Sequence, residues 1–255
     1  MHFINRVRDL QQGVVRLCLG PLGLAAALCM TACGSKELTR SRAADVLKSS
    51  EGFQKSVTVA LLPAYRQSLT LIGTGSHTTP KDEFALRRFL ESRADLATLN
   101  HLGLVEFRVV RIEYPDSASS PVTVTATLTD EGRSASREWE QSGSSWLIPI
   151  ARRALIEVTG LKSGGGDSKT ARVEYTWKWE PTATGRSFDV SSREHGSLPE
   201  SIRRSFGGAS FADMLRDKGQ LTLFDSSKAL TGAATLQLYD DGWRLTGGAA
   251  DPPKP

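Results

Sequence analysis

Val173, Tyr175, Trp177 and Trp179 alternate with Glu174, Thr176, Lys178 and Glu180. Successive side chains of a strand point to opposite faces, so this period of two puts the valine and three large aromatics on one face and a polar row on the other. Two uses compete for such a face. Large rings bury a large apolar area and are ordinary core material, whereas an exposed row would stack on sugar rings or apolar ligands. Tyr175, Trp177 and Trp179 are therefore the candidate ligand-binding residues. Trp177 and Trp179 are expected to keep some exposure, because tryptophan is rarely buried completely.

The same period recurs through the second half of the chain. Leu104 to Tyr114 and Val122 to Thr129 read as strands, and Asp130-Glu131-Gly132 reads as the turn into a further strand from Ser134 to Gln141. Ser142 to Ser145 turns into Trp146 to Ile150. Ala154 to Leu161 and Ala171 to Glu180 pair across a Gly-rich loop, and three last strands fall around 219–224, 233–239 and 243–246. Short turns between sequential strands give an antiparallel meander, since parallel neighbours need long crossovers.

Ahead of the strands the period is helical. Leu38 to Lys48 carries Ala43, Val46 and Leu47 on one side, while Gln54 to Ile72 mixes strand-like alternation with Pro63. After a Gly73–Pro80 loop, Thr79 caps one long helix with Pro80 at its first position. Its apolar set runs from Phe84, Leu86, Phe89 and Leu90 to Leu96, Leu99 and Leu102, and Gly103 ends it. The chain therefore reads as α+β: a mainly helical segment over 38–103, an antiparallel β-rich segment over 104–248 with a short helical region from Pro199 to Lys218, and a disordered tail over 249–255.

The N-terminus specifies an address. Arg6, Arg8 and Arg16 precede an apolar run from Leu17 to Leu28, the organisation of a signal peptide, here 1–32. The run is shorter than the roughly 20 residues a transmembrane helix needs, and Gly20, Pro21 and Gly23 interrupt it. Translation from Val14 or Val15 would shorten the long basic region. Met30-Thr31-Ala32-Cys33 then resembles the lipobox of bacterial lipoproteins, with Met30 where leucine is usual. That resemblance implies lipidation of Cys33, a tether over 33–37, and a body outside the cytoplasm, held on the membrane of the cell envelope. The expected partners are the membrane, through lipid on Cys33, and an envelope protein.

Export reshapes the remaining bookkeeping. Cys18 and Cys29 leave with the signal, so the body has no thiol to pair with Cys33. Loss of three arginines and Asp9 turns 32 basic and 28 acidic residues into 29 and 27, a net charge of +2. No nucleic-acid role is indicated at that charge and address. Two pattern-level resemblances follow. Residues 80–130, helices running through Leu102-Gly103-Leu104-Val105 into a hairpin, resemble a winged-helix module. Leu236 to Leu245, with its Asp240-Asp241-Gly242 turn, resembles the end of a nuclear transport factor 2-like cone, the alternative fold.

The chemical inventory is thin. His77, His101 and His195 lack partners at metal-ligand spacing, so no metal or cofactor is expected. There is no G-x-S-x-G elbow or S-x-x-K pair. Ser76-His77 is a bare dipeptide, and Gly164-Gly165-Gly166 lacks the lysine of a phosphate loop. Glu138 and Glu140 are the candidate catalytic pair: on a strand they would share a face at roughly 7 Å, within the range of glycosidase carboxylates. The leading expectation is a non-catalytic binding or structural module. A glycan-active hydrolase, built on the aromatic row and this pair, is the alternative.

Overall fold

The alternating segments resolve into two antiparallel sheets with helices packed against them. The computed structural model describes residues 37–71, 81–115, 117–163, 169–207 and 223–247. Outside the described residues lie the signal segment, Cys33 and its tether up to Lys36, the Ser76-His77 dipeptide, the Thr79 cap with Pro80, Gly164 to Gly166, all of 208–222 with most of the strand expected around 219–224, and the 249–255 tail. The described residues belong to one compact unit.

The strands are β1 Val57–Leu61, β2 Ala64–Thr70, β3 Val105–Ile112, β4 Ser119–Leu128, β5 Glu140–Ser142, β6 Ser145–Ser163, β7 Thr170–Pro181, β8 Leu230–Tyr239 and β9 Gly242–Gly247. The larger sheet runs β1-β6-β7-β8-β9, with β5 on the start of β6; the smaller runs β2-β4-β3. Helices α1 Arg40–Ser49, α2 Glu51–Gln54, α3 Lys81–Ser92 and α4 Ala94–His101 precede most strands, so early helices lead into an antiparallel meander, as the sequence predicts.

β6 shapes the larger sheet. Its 19 residues combine what the sequence reads as two strands, because its inward phase changes along the way. Register shifts occur opposite Val57/Thr58 of β1, between Leu155 and Glu157, and between Val158 and Gly160. Each extra residue bends the strand and increases its twist. The bulged Ile156 is left 49% exposed, while Ile148, Ile150 and Val158 face inward and are buried. The curled sheet is lined by the β7 row, and α1 spans its inner side from β6 to β9. Thr39 caps α1 by accepting from the Arg42 amide. Ala43 and Leu47 on its buried face are completely covered.

Three sequence readings need correction. Residues 134–141 are not a strand. Thr129 accepts from the Gly132 amide and caps α5 Asp130–Ala135, a 3₁₀ turn Ser136–Glu138 follows, and only Glu140–Ser142 is extended. Asp130 and Glu131 are first-turn carboxylates at a helix N-terminus, not turn residues of a hairpin. Second, the long helix is broken at Arg93, which has φ −134° and ψ 73° and separates α3 from α4. Gly103, at φ +69°, stops α4 as expected. Third, the hairpin of the winged-helix pattern is no free wing: β4 pairs with β2 as well as β3.

The break at Arg93 organises the smaller sheet. Arg93 donates through Nε and Nη2 to the two oxygens of Asp95 at 3.1 and 2.8 Å, and its guanidinium lies 5.3 Å from the Tyr65 ring centroid. Tyr65 packs with Phe89 and Phe107, and its hydroxyl accepts from the Leu62 amide at 2.8 Å. Burial pushes the Tyr65 hydroxyl up to about 12, against the lowering effects of Leu62 and Arg93. Asp95 is only 5% exposed, so removing its partner or itself leaves an uncompensated charge inside. Asp95→Ala should cost about 3–5 kcal/mol, read by urea unfolding. Glu106→Ala, which breaks the exposed pair with Arg108, should cost about 1 kcal/mol or less. Equal losses for the two variants would overturn this assignment.

Candidate functional site

The candidate ligand-binding and catalytic residues, Tyr175, Trp177, Trp179, Glu138 and Glu140, all lie among the described residues. Tyr175 is 1%, Trp177 0% and Trp179 6% exposed, so the β7 row is core rather than platform, and the expected exposure of the two tryptophans is corrected. They are covered because the sheet curls over them. Trp177 and Trp179 meet edge to face at 4.9 Å, Trp179 meets Phe224 at 6.1 Å, and Phe53 of α2 packs on Tyr175 at 5.7 Å. Arg153, facing inward from β6, lays its guanidinium 5.0 Å from the Trp177 ring centroid. Opposite the rings β8 supplies small residues: Tyr175 pairs with Gly232 and Val173 with Ala234. A Cβ at Gly232 would stand 2.6 Å from Cζ of Tyr175.

Glu138 and Glu140 do not share a strand face. Glu138 ends the 3₁₀ turn and Glu140 starts β5, both exposed. Between them Trp139 turns inward, as the pattern suggests, and packs edge to face on Trp146 at 6.4 Å. The geometry on which a paired-carboxylate mechanism was argued is therefore absent.

The densest polar cluster joins residues that the sequence reading left apart. Asp189, 2% exposed, accepts from the amide and hydroxyl of Ser191 at 3.0 and 2.7 Å and of Ser226 at 3.1 and 2.5 Å. Burial alone would raise its pKa, but these hydroxyls and amides hold the carboxyl below the ordinary carboxylate range. His195 Nδ1 donates to the Ser187 carbonyl at 2.9 Å. Ser192 accepts from the His195 amide and donates to the Arg186 carbonyl. A nucleophile requires a base within reach and a carboxylate on that base. Here the hydroxyls serve backbone and Asp189, and the imidazole bonds a carbonyl, so the cluster is a clasp between 187–195 and 224–226. Asp189-x-Ser191 is a local turn signature, but Ser226, 37 residues on, carries no signal of the contact. Among the described residues no group of three His, Cys, Asp or Glu side chains could hold a metal ion.

A third feature is an open cleft of about 390 Å³ lined by Thr159, Arg172, Glu174, Tyr175, Thr231, Gly232 and Ala233. Thr159 sits at the register shift between Val158 and Gly160, and a Cβ at Gly160 beside it would stand 2.9 Å from Oε2 of Glu174. The Glu174 carboxylate lies between Lys162, at 3.5 Å, and Arg172, at 3.8 Å. Arg40 of α1 donates to the Thr159 carbonyl at 3.4 Å, bringing the first helix to the same place. All these charged side chains are solvated, so the arrangement provides a shallow charged surface and no buried chemistry.

Comparison with protein-family models, with curated proteins and with solved structures finds no match to this chain.

Two measurements check this description. Asp189 has a folded pKa below its unfolded value, so its contribution is complete above about pH 5 and fades as pH falls through the folded pKa. Asp189→Asn should cost about 2 kcal/mol at neutral pH and flatten the loss of stability between about pH 5 and pH 3. An unchanged acid slope would show that the carboxylate is not the clasp. The Tyr175 hydroxyl is buried without a hydrogen-bond partner among the described residues. Tyr175→Phe should therefore leave stability unchanged or raise it by up to about 1 kcal/mol, whereas a loss above that would reveal a partner for the hydroxyl.

Proposed function

We propose that this chain is an exported lipoprotein of the bacterial cell envelope, acylated on Cys33, whose body serves as a non-catalytic binding or structural module at the membrane surface. The observation that carries this is the order Arg6, Arg8, Arg16, the apolar run Leu17 to Leu28, then Thr31-Ala32-Cys33. The body is consistent with it in two respects. Its core packing begins at Leu38, five residues after Cys33, which leaves a tether of at most about 18 Å. Among the described residues no helix is long and apolar enough to cross a membrane.

The glycan-hydrolase alternative rested on two features, and neither supports it now. The aromatic row is buried, and Glu138 and Glu140 lie on different elements. An enzyme needs converging groups in a concave site; the cleft at Thr159 gathers one carboxylate with two exposed cations. Partner recognition would therefore use polar surface, because the large apolar face is filled from within.

Growth of a bacterial host in labelled palmitate tests the address. Wild-type protein should take up label and show a mature mass beginning at Cys33 with acyl groups attached. Cys33→Ala should take up none and keep its signal segment. Equal labelling of the two proteins would overturn the proposal.

A further inference from the structure

We propose that the end of the body formed by Arg40, Lys162 and Arg172 lies against anionic phospholipid headgroups of the membrane that holds the lipid on Cys33; this rests on the lipid-anchor reading. Three observations meet here. First, the charges are gathered by the fold: Arg40 reaches the Thr159 carbonyl across 119 residues, and Lys162 and Arg172 flank the same cleft. Their side chains are free to reach a surface, with Lys162 75% and Arg172 65% exposed. Second, the opposing charge is small. Glu174 is the carboxylate between them, while Lys36 and Glu37 in the tether cancel. Further along the same strands the balance changes, where Glu157 is exposed and Arg152 is paired with Glu180.

Third, the tether selects this end. Leu38 is already packed in the core, five residues after Cys33, a distance of at most about 18 Å along the chain, and the screening length at physiological salt is about 8 Å. Arg40 is the first cation of α1 after the tether, so the end that carries it is the end a lipid on Cys33 holds nearest the bilayer. Headgroup phosphates then meet guanidinium and ammonium donors, which bind phosphate well. The bare Gly160 leaves room beside the Glu174 carboxylate that these side chains flank. Each basic residue near an anionic surface raises partitioning about fivefold. Three cations set against Glu174 leave two effective charges, hence a preference of roughly 25-fold.

The test uses the body without its signal segment, residues 34–255, which lacks Arg6, Arg8, Arg16 and the acylation site, cosedimented with vesicles of phosphatidylcholine or of equimolar phosphatidylcholine and phosphatidylglycerol. The expected result is a roughly 25-fold preference for the anionic vesicles, lost at about 1 M salt where the screening length is about 3 Å. Arg40→Ala/Lys162→Ala/Arg172→Ala should abolish the preference. Glu174→Gln should raise it about fivefold, a gain that misfolding would not mimic. Equal binding to both vesicles, no response to the triple substitution, or displacement by inorganic phosphate at low salt would overturn the inference. Mass analysis of the wild-type chain separates the two readings. A missing acyl group with retained vesicle selectivity overturns the anchor and supports the surface, whereas an acylated chain without selectivity overturns the surface alone.

Discussion

Burial of the β7 row is the constraint on which the larger sheet depends. Val173, Tyr175, Trp177 and Trp179 present more apolar area than a flat sheet under one short helix could cover, and each ring is worth roughly 4–6 kcal/mol of transfer free energy at about 25 cal/mol/Å². Covering them requires curvature on one flank and small residues on the other. The β6 bulges provide the first, turning the strand while resetting its inward phase. Gly232 and Ala234 of β8 provide the second, leaving space into which the Tyr175 ring leans. The fit has a polar cost: the Tyr175 hydroxyl and the Trp177 indole nitrogen lack hydrogen-bond partners among the described residues, at about 1–3 kcal/mol each.

That solution also determines where function can reside. A sheet whose inner face is occupied by Phe53, Leu47, Phe224 and the guanidinium of Arg153 has no apolar platform to offer. The exposed large hydrophobics, such as Val110, Tyr114, Ile156 and Val190, are spread over separate elements, and single exposed apolar residues are normal on any protein surface. The clasp at Asp189 has chemically interesting residue types, but its hydrogen bonds run inward to the fold. Glu138 and Glu140 do not share a strand face, and Ser76-His77 lies outside the described residues.

Period and capping were legible in the sequence to the extent that they are local. The β7 row, the β3 and β4 alternation and the β8–β9 turn are local patterns, and all form. The strand expected over 134–141 failed on a competition between two local signals. Asp130-Glu131-Gly132 reads as a turn, whereas in the structure Thr129 caps a helix whose first turn carries Asp130 and Glu131. The helix wins, and the glycine is there for another reason: a Cβ at position 132 would stand 1.9 Å from the Leu104 carbonyl oxygen. A close approach between segments so far apart has no one-dimensional signature. β6 was divided for a similar reason, since bulges break the period that identifies a strand. The charged end was illegible altogether, because Arg40 and Thr159 meet only once α1 lies across the curled sheet.

The two sheets are coupled through a short piece of chain. Only Leu62 and Pro63 separate β1 of the larger sheet from β2 of the smaller. The Leu62 amide, which no ladder engages at that crossing, donates to the Tyr65 hydroxyl. Tyr65 is held in turn by Phe89, by Phe107 and by the guanidinium of Arg93, whose orientation Asp95 fixes. The crossing point of one sheet is thus stabilised by the buried ion pair of the other. Loosening Arg93 from Asp95 would free the Tyr65 ring, expose the Leu62 amide and loosen β1 along the edge where it pairs with β6. Because β6 also carries the bulges that cover the aromatic row, damage to the smaller sheet propagates to the larger one, and both should unfold as one cooperative unit.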